Sequence, residues 1–162
     1  MFRFLALTVM TAVLFIGAGC SKDKKDNPTA PAVTGTVYRD TIQDPVLAGM
    51  LPGYTGSKYK YILNSENTFN VLLDIGYGFA DMSGVEVPSE EGTYSFTAGI
   101  YTFTPNINRY NNSSTHLMET ADTLRIPYTG SGAGDSITIA NFINIGNKTS
   151  VRNLGTIVLN KQ

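Results

Sequence analysis

The chain has 162 residues, enough for one small domain with a real core and too few for two. Its 12 Lys and Arg stand against 13 Asp and Glu, a near-neutral balance that excludes nucleic acid held by a strong basic field. One cysteine, Cys20, excludes an intramolecular disulfide.

Arg3 is the only charge before Lys22, and Phe4 to Gly19 (FLALTVMTAVLFIGAG) is uncharged and mostly apolar. A membrane-spanning helix needs about 20 apolar residues; this run is shorter and leaves through small residues. A basic start, a short apolar stretch and a small-residue exit describe a secretory signal peptide over residues 1–19. A buried N-terminal helix is the weaker reading, because nothing on the run is polar enough to face water. Residues 20–33 (CSKDKKDNPTAPAV) are charged, contain two prolines and show no apolar periodicity, so they read as a disordered tether.

Ala18-Gly19-Cys20 resembles the lipobox of bacterial lipoproteins, with Gly17 standing where that family usually has an aliphatic residue. The resemblance implies cleavage before Cys20, a thioether-linked diacylglycerol on its sulfur and acylation of its amine. A free exposed thiol in an oxidising compartment would be a liability, and lipidation gives this one a purpose. Two or more acyl chains anchor stably where one binds only marginally. In that family an aspartate directly after the cysteine retains the protein in the inner membrane. Ser21 therefore implies the outer membrane.

Residues 34–162 are written mostly in period two, the mark of half-buried strands. "GTVYRD" at 35–40 opens the series. In "KYKYIL" Tyr59, Tyr61 and Leu63 share a face; in "NTFNVLLDIG" Phe69, Val71, Leu73 and Ile75 do so. "GTYSFT" pairs Tyr94 with Phe96, and "IYTFTP" pairs Tyr101 with Phe103. "DTLRIPY" offers Leu124, Ile126 and Tyr128, "DSITIANFI" offers Ile137 and Ile139, and "GTIVLNK" closes with Ile157 and Leu159. Asn64-Ser65-Glu66 and Ala98-Gly99 fit hairpin turns, and "TGSGAG" at 129–134 a longer glycine turn. Between the first two strands, Asp44 fits an N-cap, Pro45 the first helical position and Pro52-Gly53 a stop. A helix of about two turns there suits a plug across a barrel end.

The expected fold is all-β: an antiparallel up-and-down barrel of about eight strands with one short helix. The order "GTVY", short helix, then hairpins with "GTYSFTAGIYTFT" resembles the small lipocalin-like, calycin-type domains of bacterial lipoproteins. An immunoglobulin-like β-sandwich is the alternative, since strand spacing alone does not separate the two. The expected core is Phe69, Val71, Leu73, Tyr94, Phe96, Tyr101, Phe103, Leu124, Ile126, Ile137, Ile139 and Leu159.

Catalytic signatures are scarce. His116 is the only histidine; with Glu119 and Asp122 it falls short of the ligand set that zinc requires, so a surface histidine and no metal is the reading. No nucleophile elbow supports a triad. Glu90-Glu91 are expected in a solvated turn, with side chains pointing apart. Glycines 130, 132 and 134 are too close together for a dinucleotide fingerprint, and no cofactor is expected. Tyr54, Tyr77, Tyr110 and Tyr128 lie beside turn residues, where an aromatic face could stack on a sugar or line a pocket mouth. Asp40-Thr41-Ile42, Asp122-Thr123-Leu124 and Asp135-Ser136-Ile137 match a three-residue O-glycosylation signal of some Gram-negative bacteria, making Thr41, Thr123 and Ser136 candidates. Asp before Ser or Thr is also natural where a loop becomes a strand, with no modification implied.

The expected function is a non-catalytic binding module anchored to the outer membrane, taking a small apolar ligand, a glycan or an envelope protein. A structural envelope lipoprotein without a small ligand is the alternative. An interior cavity favours the first and a filled core the second.

Overall fold

A computed structural model describes residues 34–74, 85–112, 117–121, 125–132 and 134–162. Cys20, Ile75, Tyr77, His116, Asp122, Thr123 and Leu124, with residues 1–33 that were expected to be leader and tether, lie outside the described residues.

Among the described residues, eleven strands and one helix follow in chain order: β1 (Thr36–Ile42), α1 (Pro45–Met50), β2 (Ser57–Leu63), β3 (Thr68–Asp74), β4 (Val87–Thr97), β5 (Ile100–Asn112), β6 (Leu117–Thr120), β7 (Tyr128–Gly132), β8 (Ser136–Ile139), β9 (Ile143–Asn147), β10 (Ser150–Asn153) and β11 (Ile157–Lys161). The main sheet runs β4-β3-β2-β1-β11-β8-β7-β5-β6, and β4 also pairs with β5. That pairing closes eight antiparallel strands into a lipocalin-like barrel, with β6 extending the tail of β5. A sandwich would leave edges where this barrel has a continuous ladder, so the sandwich alternative falls.

The two barrel ends differ in their connections. At one end the turns are short: Asn64–Asn67 joins β2 to β3, and Ala98-Gly99 joins β4 to β5. Ala98 and Gly99 both have positive φ, 51° and 81°, the type I′ turn whose twist matches that of the strands it joins. The other end carries the longer connections, among them α1 and the β9–β10 hairpin.

Inward side chains from both halves form one cluster that includes Tyr38, Tyr61, Phe69, Val71, Phe103, Ile137, Ile139 and Leu159. Phe103 is 0 % exposed, edge-on to Phe69 at 5.1 Å and stacked with Tyr128 at 5.0 Å. Of the expected core, Phe69, Val71, Leu73, Tyr101, Phe103, Ile137, Ile139 and Leu159 are buried, and Tyr94 packs against them.

Two expected core members are corrected. Phe96 is 52 % exposed: it has the inward parity of Tyr94 but sits one step from the short-turn rim, where its ring packs against Tyr101 at 4.4 Å. Ile126 is 42 % exposed because residues 125–127 form no strand. The strand expected over 122–128 instead begins at Tyr128 and runs through the expected glycine turn. Gly130 and Gly132 are there for closeness: an added Cβ would lie 2.7 Å from Ile137 Cγ2 or from Tyr101 Cε2, respectively.

Asp44 caps α1 as expected, accepting from Val46 N at 2.9 Å and Leu47 N at 3.2 Å. The helix is no plug, however. It buries none of its residues, and Val46 and Met50 face solvent. The β9–β10 hairpin covers this end instead: its flanking Phe142 joins the core edge-on to Tyr59 at 4.9 Å.

Candidate functional site

Polar groups collect inside the long-connection half of the barrel, on strands whose other inward residues are apolar. Asp44, 0 % exposed, is the first. Besides capping α1, it receives Arg152 Nη2 of β10 at 2.7 Å and Asn144 Nδ2 of β9 at 3.3 Å. Helix and hairpin are thus fastened to one carboxylate. Tyr54 sits beside it; its hydroxyl donates to Ile42 O at 3.3 Å, accepts from Asp44 N at 3.3 Å and lies 2.8 Å from Ser57 Oγ. Those bonds make Tyr54 a brace, with no hydrogen-bonding capacity left for a ligand.

Further inside stand Tyr59 and Tyr61 of β2, Glu90 of β4 and Tyr128 of β7. Glu90 was expected in a solvated turn. It is instead the fourth residue of β4, opposite Val71, with the inward parity of Gly92 and Tyr94. Glu91 points outward, as adjacent strand residues must, and pairs with Arg109 at 2.6 Å. The Glu90 carboxyl meets Tyr128 Oη at 2.5 Å, and Tyr128 Oη lies 3.1 Å from Tyr61 Oη.

A phenol has one proton, so Tyr128 donates in only one direction. When Glu90 is ionised, Tyr128 donates to it and Tyr61 donates to Tyr128. When Glu90 is protonated, the chain can reverse. Among the described residues Glu90 pairs with no cation. Burial pushes its carboxyl up to about 7, with the Tyr128 hydrogen bond opposing part of that rise. Burial, and then the Glu90 charge, also raises Tyr61 and Tyr128 well above an ordinary phenol.

Glu90 and Tyr128 are half-buried rather than sealed. Burial dominates the ionisation of both, and the pairing of Glu90 with the core residue Val71 turns its side chain toward the barrel interior. Tyr59 is 3 % exposed, and its hydroxyl has no hydrogen-bond partner. An unsatisfied buried hydroxyl is destabilising, by about 1–3 kcal/mol. The Tyr59 hydroxyl and the Arg152 Nε–H lack hydrogen-bond partners, and Glu90 lacks a counter-ion among the described residues.

The other expected site residues lie apart from this cluster. Tyr110 is buried on β5, and its hydroxyl donates to Glu119 Oε2 at 2.7 Å. Thr41 is exposed on β1, and Ser136 is half-buried at the first position of β8. Of the four tyrosines, Tyr128 alone is shown in the interior cluster. On the outer face of β1–β3, a groove of about 370 Å³ is lined by Arg39, Thr41, Lys58, Lys60, Asp74 and Glu86 among others. Its charges pair with one another: Lys60 with Glu86 at 2.6 Å, Arg39 with Glu86 at 3.6 Å, and Lys58 with Asp74 at 3.3 Å. The groove presents little net charge, and the interior presents an unpaired one.

Comparison with protein-family models, with the curated proteins and with the solved structures finds no match for this chain. The functional reading rests on the geometry and on the sequence.

Proposed function

We propose that this chain is an outer-membrane lipoprotein, anchored through Cys20, whose lipocalin-like barrel is a non-catalytic module for binding a small ligand. The observation that supports binding is the pair of unmet polar groups inside a closed barrel, the Glu90 carboxyl without a cation and the Tyr59 hydroxyl without any partner. A barrel serving only as a spacer gains stability by filling those positions with apolar side chains. A structural role without a ligand is the second reading. The short-turn half favours it, since Phe69, Tyr94, Tyr101 and Phe103 fill that half with mutually packed rings.

Anchoring and binding are tested separately. Cys20→Ala should move the protein from the detergent phase to the aqueous phase; a variant that stays membrane-bound and matures normally overturns the anchor. Native mass spectrometry of the protein taken gently from its own envelope should show a small molecule that departs on unfolding. A mass equal to the lipidated polypeptide alone favours the structural reading. Any excess that survives unfolding is covalent; its stepwise loss when Asp40, Asp122 and Asp135 are replaced would place glycans at Thr41, Thr123 and Ser136.

A further inference from the structure

Resting on the reading of the barrel as a binding module, we infer that its interior takes a small molecule through a protonated amine, with Glu90 as the counter-ion and aromatic rings as the wall. The choice of an amine over the apolar, glycan or protein partners expected from sequence comes from three observations.

The first is an acid facing a closed interior with one neutral hydrogen-bond partner and no cation among the described residues. A buried carboxylate is tolerated when it is paired, and a ligand ammonium supplies the missing charge where the strands supply none. The second is the wall. Phe103 and Tyr128 are stacked at 5.0 Å and Tyr61 is edge-on to Phe103 at 5.7 Å, so the phenol that reaches Glu90, and the one behind it, belong to an aromatic cluster. Ring faces attract ammonium groups and do nothing comparable for a carboxylate. The third is the Tyr59 hydroxyl, buried and unpartnered on the strand that also carries Tyr61. An ammonium has three N–H donors; one serves Glu90, and the others suit phenol oxygens such as this one.

An anionic ligand would bring a second negative charge beside Glu90 in a low-dielectric interior. A purely apolar ligand would leave Tyr59 and Glu90 as unmet as they are now. Burial holds the Glu90 carboxyl at about 7, so a bound ammonium would draw its proton off near neutral pH. Proton release on binding is therefore a signature of this mode and of no neutral one.

The test uses the whole chain from residue 20 onward, with Cys20→Ala so that no detergent competes for the interior. n-Hexylamine, 1-hexanol and hexanoate share an apolar tail and differ in head group; their affinities are measured by calorimetry in two buffers of different ionisation enthalpy. The expected order is hexylamine first, by at least about tenfold over hexanol, the difference between a charge-assisted and a neutral hydrogen bond. Hexanoate should be weakest. Glu90→Gln should erase the amine preference and the proton release while leaving hexanol affinity in place. Tyr59→Phe should weaken hexylamine and keep its lead over hexanol. Equal affinities for amine and alcohol, or a preference that survives Glu90→Gln in a variant folded by circular dichroism, overturn the amine inference and leave the barrel a binder of apolar tails. If none of the three binds, small-ligand binding falls, and the inference with it.

Discussion

The two halves of the barrel are built from the same strands and obey different rules. Toward the short turns, the interior is rings and aliphatic side chains packed against one another, among them Phe69, Tyr101, Phe103, Ile137 and Leu159. Toward the long connections, the same strands bring in Tyr59, Glu90 and Tyr128, and the neighbouring segments bring in Asp44 and Arg152. Burial of apolar surface stabilises the first half without needing any particular partner. In the second half each polar group depends on particular neighbours, as Asp44 does on Arg152 and Asn144, while Tyr59 lacks a hydrogen-bond partner and Glu90 a counter-ion among the described residues. The difference separates the part of the barrel that holds the fold from the part free to specialise.

The largest effect should come from emptying the apolar half. Phe103→Ala removes a ring touched by Phe69, Tyr61 and Tyr128, and should cost about 3–5 kcal/mol in urea unfolding. Phe96→Ala, on the same hairpin but at the rim, should cost less than about 1 kcal/mol. Equal losses for the two would erase the distinction between core and rim.

Next is the fastening of the polar half. Asp44→Ala removes a helix cap and strands Arg152, so a loss of about 3 kcal/mol is expected, with faster proteolysis in the β9–β10 hairpin. A loss below about 1 kcal/mol would mean that the hairpin stays in place through Phe142 alone.

Glu90 should make stability depend on pH. Its carboxyl titrates at about 7 in the folded state, above its ordinary 4.5, so folded protein holds the proton more tightly than unfolded protein. The contribution is full below about 4.5 and is lost as pH rises through 7. The expected fall, up to about 3 kcal/mol, is read from unfolding midpoints at pH 4.5 and pH 8. Glu90→Gln should flatten that part of the profile. An unchanged slope would place the carboxyl in water.

The smallest expected change is a gain. Tyr59→Phe deletes an unpartnered buried hydroxyl and should stabilise the unliganded protein by about 1 kcal/mol. Destabilisation would reveal a partner for that hydroxyl and remove one support for ligand binding.

Local alternation was enough to locate most barrel strands, because a strand with one face in the core must repeat every two residues whatever it pairs with. Tyr59, Tyr61, Phe69, Val71 and Phe103 were legible in this way, as was the cap at Asp44-Pro45. The same parity, carried two residues upstream of Gly92, would have turned Glu90 inward; its charge argued for solvent, and that argument prevailed at the sequence level. Other features had no local signal. Gly130 and Gly132 spell a turn in one dimension and prove to be strand positions, because Ile137 and Tyr101 must pass within reach of their backbone. The β1–β11 pairing, the hairpin on Asp44 and the isolation of Glu90 depend on residues distant in sequence. Periodicity is set by each strand alone. Burial of a charge and the partner it lacks are set only when the ring closes and decides which surfaces water can still reach.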